Sequence, residues 1–151
     1  MTAAPRIAPV PAPSTAEQLR IALRRAHRER TQDAFDRFLA ELFGAMVLVA
    51  RGPGGERERR IELLPEDADL NLVALATEDG LHLALFTDVD ALVSPGSPVA
   101  EFDPAAYAGR GLRMLELAAS AGLGVAVNVG ARQHVVVAAE TVAQIVGAVE
   151  Y

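Results

Sequence analysis

Two amphipathic stretches follow the first fourteen residues of the chain. Leu19, Ala22, Leu23 and Ala26 recur at helical spacing, and Ser14-Thr15-Ala16-Glu17 ahead of them has the S-x-x-E form of a capping box. The pattern predicts a helix running to Arg30, with Arg24, Arg25, Arg28 and Arg30 in its last turns, where cations suit the helix dipole. Thr31 is placed to cap a second helix in which Phe35, Phe38, Leu39 and Leu42 follow the i, i+3, i+4, i+7 order of a buried stripe, and Gly44 ends it.

The period then shortens. AMVLVA, residues 45–50, is an unbroken apolar run between glycines and reads as a buried strand. RGPGGERERR reads as a loop, and residues 59–64 resume as a strand before Pro65 and the acidic EDAD mark another turn. Residues 70–77 and 81–86 are two β-rich runs around Glu78-Asp79-Gly80, a hairpin signal because Asp-Gly supplies the positive φ of a tight turn.

Beyond the hairpin, Thr87 or Asp88 is placed to cap a short helix through Val93, stopped by SPGSP. PVAEF, residues 98–102, reads as an edge strand, and Asp103-Pro104 reads as a cap opening a turn of helix through Tyr107 that Gly109 and Gly111 interrupt. Leu112, Leu115 and Leu117 to Ala119 form the apolar side of a further helix closed at Gly122. VAVNV and HVVVA are two more strands around a loop at residues 128–132, and AETVAQIVGAV is a C-terminal helix. These elements predict an α/β (α+β) domain over residues 15–151: one mixed sheet of about five or six strands flanked by N-terminal, central and C-terminal helices.

Composition narrows the chemistry more than the fold. The chain contains no cysteine, which removes disulfides, thiolate zinc sites and cysteine nucleophiles. All 14 basic residues are arginine, so Schiff-base lysines, the Walker lysine and lysine general bases are absent as well. Charge is unevenly placed: residues 1–60 hold 11 Arg against 7 acidic side chains, and residues 61–151 hold 3 Arg against 13. The net charge of −6 therefore hides a basic first part and a strongly acidic remainder, an arrangement that favours association with charged surfaces. The opening MTAAPRIAPVPAPS has four prolines and no continuous apolar core, so it reads as a flexible tail over residues 1–14 rather than a secretory signal. With no apolar stretch approaching about 18 residues, the expectation is a soluble cytoplasmic protein without membrane contact.

LHLALFTDVDAL, then GRGLRMLELAASAGLGVAVNVG, then VVVAAETVAQIV occur in an order that resembles the SseB N-terminal domain family of bacterial proteins. FLAELFGAMVLV fits the same pattern. In that family a hairpin strand ends in an FT or FTD element before a small helix, and an AGLGL-x-(V/L/I)-N-P-G segment follows a Leu-rich helix. Val129 stands here where the family has proline, as do Ala138 and Ala139 before the last helix. The resemblance implies the fold and implies no reaction, cofactor or catalytic residue.

Three features invite chemistry. Asp88 and Asp90 after an apolar strand resemble the first motif of haloacid dehalogenase phosphohydrolases, in which paired aspartates and Mg²⁺ transfer phosphate. That motif continues with Gly-Thr and wants a downstream cation, usually lysine, and a late acidic pair for the metal. Ala91-Leu92 and a lysine-free chain leave helix capping as the simpler role. GLGVAVNVG places its glycines after a helix and before a strand, the reverse of a dinucleotide-binding turn, which makes Gly122 a helix stop. Asn128 and Gly130 then supply positive-φ positions, and with Arg132 they define a candidate ligand loop. Arg20, Arg24, Arg25, Arg28 and Arg30 form the strongest candidate binding surface. A solvated helix end paired with Glu29 and Asp33 is the plainest reading of these charges. The acidic net charge and scarce aromatics argue against nucleic acid, and docking onto an acidic protein surface, a second copy included, is the binding alternative. His27, His82 and His134 have no neighbours in sequence that make them ligands. The chain is thus expected to be a non-enzymatic interaction or regulatory module with no cofactor. A small-ligand sensor and an Asp88/Asp90 phosphohydrolase are the alternatives.

Overall fold

The computed structural model describes residues 15–51, 61–64, 72–77, 80–99 and 105–149, with only the backbone of Glu62. The tail of residues 1–14, the loop after Arg51, the acidic turn after Leu64 and the Asp103-Pro104 cap lie outside the described residues.

Helix α1 (Ala16–Glu29) begins one residue later than a Ser14 cap requires. Thr15 holds the extended cap conformation; its Oγ1 accepts the Gln18 N–H at 3.1 Å, and Gln18 Oε1 accepts the Thr15 N–H at 2.9 Å. Thr15-x-x-Gln18 is the same reciprocal box shifted by one position, with glutamine in place of glutamate. Arg30 closes the helix in the left-handed conformation, φ 55°, donating its N–H to Ala26 O. Thr31 caps α2 (Gln32–Gly44) as predicted, its Oγ1 accepting from Ala34 N–H.

Six strands form the main path of one mixed sheet, in the order β2-β5-β1-β4-β6-β7. They are β1 (Met46–Ala50), β2 (Ile61–Leu63), β4 (Gly80–Phe86), β5 (Ala106–Arg110), β6 (Gly124–Val127) and β7 (Val135–Val137). A seventh, β3 (Ala74–Thr77), joins β4 as the predicted hairpin, with Thr77 opposite Gly80 and a two-residue connection between them. β1 and β3 share one side of β4 end to end: β1 pairs at Leu85 and Phe86, β3 at residues 80–83. β4 runs parallel to β6 and β2 parallel to β5; the other pairs are antiparallel.

Two sequence expectations fail here. Residues 106–110 are a strand, not the end of a helical turn, and β5 is flanked by β1 on one side and β2 on the other. Ala-Tyr-Ala-Gly carries little strand propensity of its own, so pairing on both edges decides its conformation. Pro98 and Val99, expected to open an edge strand, lie in a turn instead, and the rest of that segment is outside the described residues.

Alternation along the central strands divides the core in two. Val47, Val49, Leu83, Leu85, Val125 and Val127 face α1, α2, α4 (Gly111–Ser120) and α5 (Ala139–Ala148), where Phe38, Leu39, Leu42, Phe43, Met114, Leu115 and Ile145 are fully buried. Leu48, Ala50, Ala84, Phe86 and Ala106 face the other way, covered by Leu92 of α3 (Val89–Val93) and by Val99. β1 and β4 are therefore buried on both faces, which is why they read as unbroken apolar runs.

Helix ends are closed by specific groups. α4 ends in a Schellman arrangement: Leu123 N–H donates to Ala118 O, Gly122 N–H donates to Ala119 O, and Gly122 takes φ 72°. Arg110 reaches back to the C-terminus of α2, where its Nη1 donates to Gly44 O at 2.7 Å. Ala138 and Ala139, at the two positions where the resembled family has proline, are the N-cap and first residue of α5, sites that a fixed φ near that of Ala138 (−64°) suits. Among the described residues no helix is long and apolar enough to cross a membrane.

Gly111 starts α4 with its N–H on Ala45 O, and any Cβ added there would run into Leu42 O of α2. Gly111→Ala is expected to cost about 1–3 kcal/mol by overpacking. Gly147, in the last turn of α5 with no atom near a built Cβ, is the opposite case: Gly147→Ala should stabilise by about 0.5 kcal/mol. Urea unfolding of the two variants checks both signs.

Candidate functional site

β4 ends at Phe86, and the next two residues decide what the aspartate pair does. Asp88 is the N-cap of α3: its Oδ1 accepts the Ala91 N–H at 2.9 Å. Its Oδ2 accepts from the Thr87 hydroxyl at 2.9 Å and from Arg20 Nη1 at 2.8 Å. Both carboxylate oxygens are thus engaged by donors of the chain itself. Asp90 lies exposed in the first turn of α3, where its charge suits the helix dipole. Burial alone pushes the Asp88 carboxyl up. The Ala91 amide, the Thr87 hydroxyl and the Arg20 guanidinium outweigh it and hold the group below the ordinary carboxylate value. Among the described residues no three His, Asp or Glu side chains gather in a way that could hold a metal ion.

Asn128, the first residue of the candidate loop, turns inward. It takes φ 58° as expected and is buried; its Oδ1 accepts the Thr87 N–H at 2.9 Å and its Nδ2 donates to Thr87 Oγ1 at 3.0 Å. The orientation of the amide follows from Thr87, whose N–H needs an acceptor. Its own N–H donates to Leu85 O and its carbonyl accepts from Ala131. Gly130, φ 94°, packs main chain against main chain on Gly96, where a Cβ on either would meet the other's carbonyl. Arg132 is exposed and has no partner among the described residues.

The five arginines of the α1 region divide by helical face. Arg20, Arg24 and His27, at i, i+4 and i+7, form one stripe facing the loops at the sheet's end. Arg20 holds Asp88, Arg24 Nε donates to Gln133 Oε1 at 3.2 Å, and His27 Nδ1 lies 2.9 Å from His134 O. The His27 and His134 rings are 5.1 Å apart. Arg25 and Arg28 point elsewhere, sharing Glu29 at 2.8 and 3.9 Å, and Ile21 on the outer side is 56% exposed. The arginine helix and the 128–134 loop, separate candidates in sequence, are therefore one continuous region.

Contacts spanning a hundred residues, such as Arg24 with Gln133 and His27 with His134, leave no local trace; the i, i+4, i+7 spacing of Arg20, Arg24 and His27 is the one signal that marks them as a stripe. His82 is a buried structural histidine, with Nδ1 3.2 Å from Thr77 Oγ1 and 3.3 Å from Gly80 O, and Nε2 unpartnered.

Removing the amide in Asn128→Ala leaves the buried Thr87 N–H without an acceptor and should cost about 1–3 kcal/mol in denaturant unfolding. The same measurement on Asp88→Ala should show a loss of about 0.5–2 kcal/mol, the value of a helix cap. Acidity separates the two. A carboxyl whose folded pKa is depressed contributes fully above the unfolded carboxylate range and loses that contribution as pH falls through the folded value. Wild type should therefore lose part of its margin over Asp88→Asn on acidification below about pH 4, and the difference should be flat above about pH 6.

No curated protein matches the chain, and no solved structure does. The family model of the SseB protein N-terminal domain matches residues 19–144, from the second turn of α1 into α5. That span contains the whole sheet, the Thr87–Asn128 pair and the arginine stripe, and with it the chain belongs to the SseB N-terminal domain family.

Proposed function

We propose that the domain is a non-enzymatic protein-interaction or regulatory module whose docking surface is the outer side of α1. The observation that carries this reading is the division of labour among the arginines. Arg20 and Arg24 are engaged by Asp88 at the start of α3 and by Gln133 in the loop before β7, which leaves Arg25, Arg28 and the exposed Ile21 as a cationic surface with an apolar centre on a helix seated by its buried face. Such a surface fits an acidic protein patch, with charge steering encounter and Ile21 adding buried apolar area. The engagement of both Asp88 oxygens supports a structural rather than a nucleophilic aspartate, and the inward-facing Asn128 weighs against a ligand loop.

Affinity purification of the tagged chain from its native cells, compared with an Arg25→Glu/Arg28→Glu variant, tests the proposal. A partner retained by the wild type and lost or weakened roughly tenfold in the variant is expected. A partner set unchanged by the double reversal would remove the surface from consideration. Release of phosphate from an aryl phosphate in Mg²⁺, abolished in Asp88→Asn, would instead establish the phosphohydrolase.

A further inference from the structure

We infer that the edge of β7 that no described strand covers, together with the cavity beside it, is a docking site for an extended acidic peptide of a partner protein. The inference rests on the interaction-module reading and assigns a second contact to it, away from the outer side of α1.

β7 is the last strand of the main path, and the direction of its main-chain groups follows from its neighbours. The Asn128 N–H donates to Leu85 O, so the even-numbered residues of β6 turn their main-chain groups toward β4 and Val125 and Val127 turn theirs toward β7. Val125 and Val127 are paired with Val137 and Val135, so the N–H and C=O of Val136 point out of the sheet. His134, two residues earlier and on the same side, shows that outward direction: its carbonyl lies 2.9 Å from His27 Nδ1. α1 covers the edge at His134 and stops; Val136 remains 42% exposed and Ala138 is exposed. Shortness guards this edge, since β7 has three residues, but residues 135–138, Val-Val-Val-Ala, include no charge, no proline and no glycine.

Beside this edge lies a cavity of about 310 Å³ between β7 and the α1–α2 junction. Ala26, Phe35 and Val135 give it apolar walls, and Arg30, Thr31 and Gln32 give it a polar rim. A peptide lying along Val136 places alternate side chains on the two sides of the sheet, so one apolar side chain enters the cavity while the main chain pairs with Val136. Arg30 sets the sign of the partner's charge. Its Nε makes a long 3.4 Å contact with His27 O, and its terminal nitrogens have no partner among the described residues, so an Asp or Glu next to the buried residue has a guanidinium to meet. The same charge argues against the chain's own residues 1–14, whose single ionisable side chain is Arg6.

The test is selection of a displayed library of random peptides of about seven residues against the full chain, with a Val136→Pro variant as decoy. Val136→Pro removes the outward N–H, and its amide spectrum reports whether it keeps the fold. Enriched peptides are expected to combine an acidic with an apolar residue. A synthetic copy of one should shift the Val136 amide resonance and slow its hydrogen exchange, and should bind roughly tenfold more weakly to Arg30→Glu but equally well to Arg25→Glu. Failure to enrich any peptide over the decoy would overturn the inference, as would enriched peptides that are basic or that leave the Val136 amide unmoved. Concentration-dependent dimerisation abolished by Arg30→Glu would also overturn it, by making a second copy the occupant. The outer surface of α1 stands or falls separately on Arg25 and Arg28.

Discussion

One buried side-chain pair ties the ends of two neighbouring strands to the start of a helix. Thr87 leaves β4 and Asn128 leaves β6, two parallel strands that finish side by side, and the paired Asn128 amide satisfies both the main chain and the hydroxyl of Thr87. The hydroxyl donates in turn to Asp88, whose carboxylate caps α3 and holds Arg20 of α1. An unbroken series of donors and acceptors thus runs from the buried end of the sheet to an exposed helix. Low polarity around the inner members strengthens each bond and makes any missing partner costly. The outer member, Arg20 with Asp88, is partly exposed and worth only about 0.2–1 kcal/mol, so α1 is seated by its buried Leu19, Ala22, Leu23 and Ala26 and oriented by its charges.

This division explains how one arginine-rich helix serves both structure and surface. Hydrophobic burial fixes which side faces inward, and the polar contacts on the flank fix its rotation against the 128–134 loop. Cations on the remaining side are left to solvent or to a partner. Among the described residues the strongly acidic remainder of the chain meets this basic helix at Asp88, an aspartate whose two oxygens are already engaged.

What the residues reveal in advance depends on how local the cause is. Thr31, Gly122 and a cap at Thr87 or Asp88 are legible because caps and left-handed stops act within a few positions, and the fold makes Asp88 the cap. The hairpin at Gly80 and the doubly buried β1 were legible from alternation and continuity. β5 was not: its small residues are strand only because β1 and β2 pair with it, and the preceding Asp-Pro suggested a helix. The Arg20–Asp88 pair, 68 residues apart, depends on how α1 docks, and the inward turn of Asn128 on β4 and β6 ending side by side; no window of sequence encodes either. At this end of the sheet the caps and turns are legible residue by residue, and the grouping of α1 with the loop before β7 is not, because it rests on contacts between distant segments.

At the end of the sheet where these elements meet, Gly96 and Gly130 touch through main chain alone. A junction made without side chains imposes no identity on the residues that follow it. Ala131 and Arg132 stand on a loop whose path is already set by Gly130 and by the Asn128 carbonyl. The main chain holds its course there whatever side chains those two positions carry, so the surface at this end of the sheet is set apart from the folding of the scaffold beneath it.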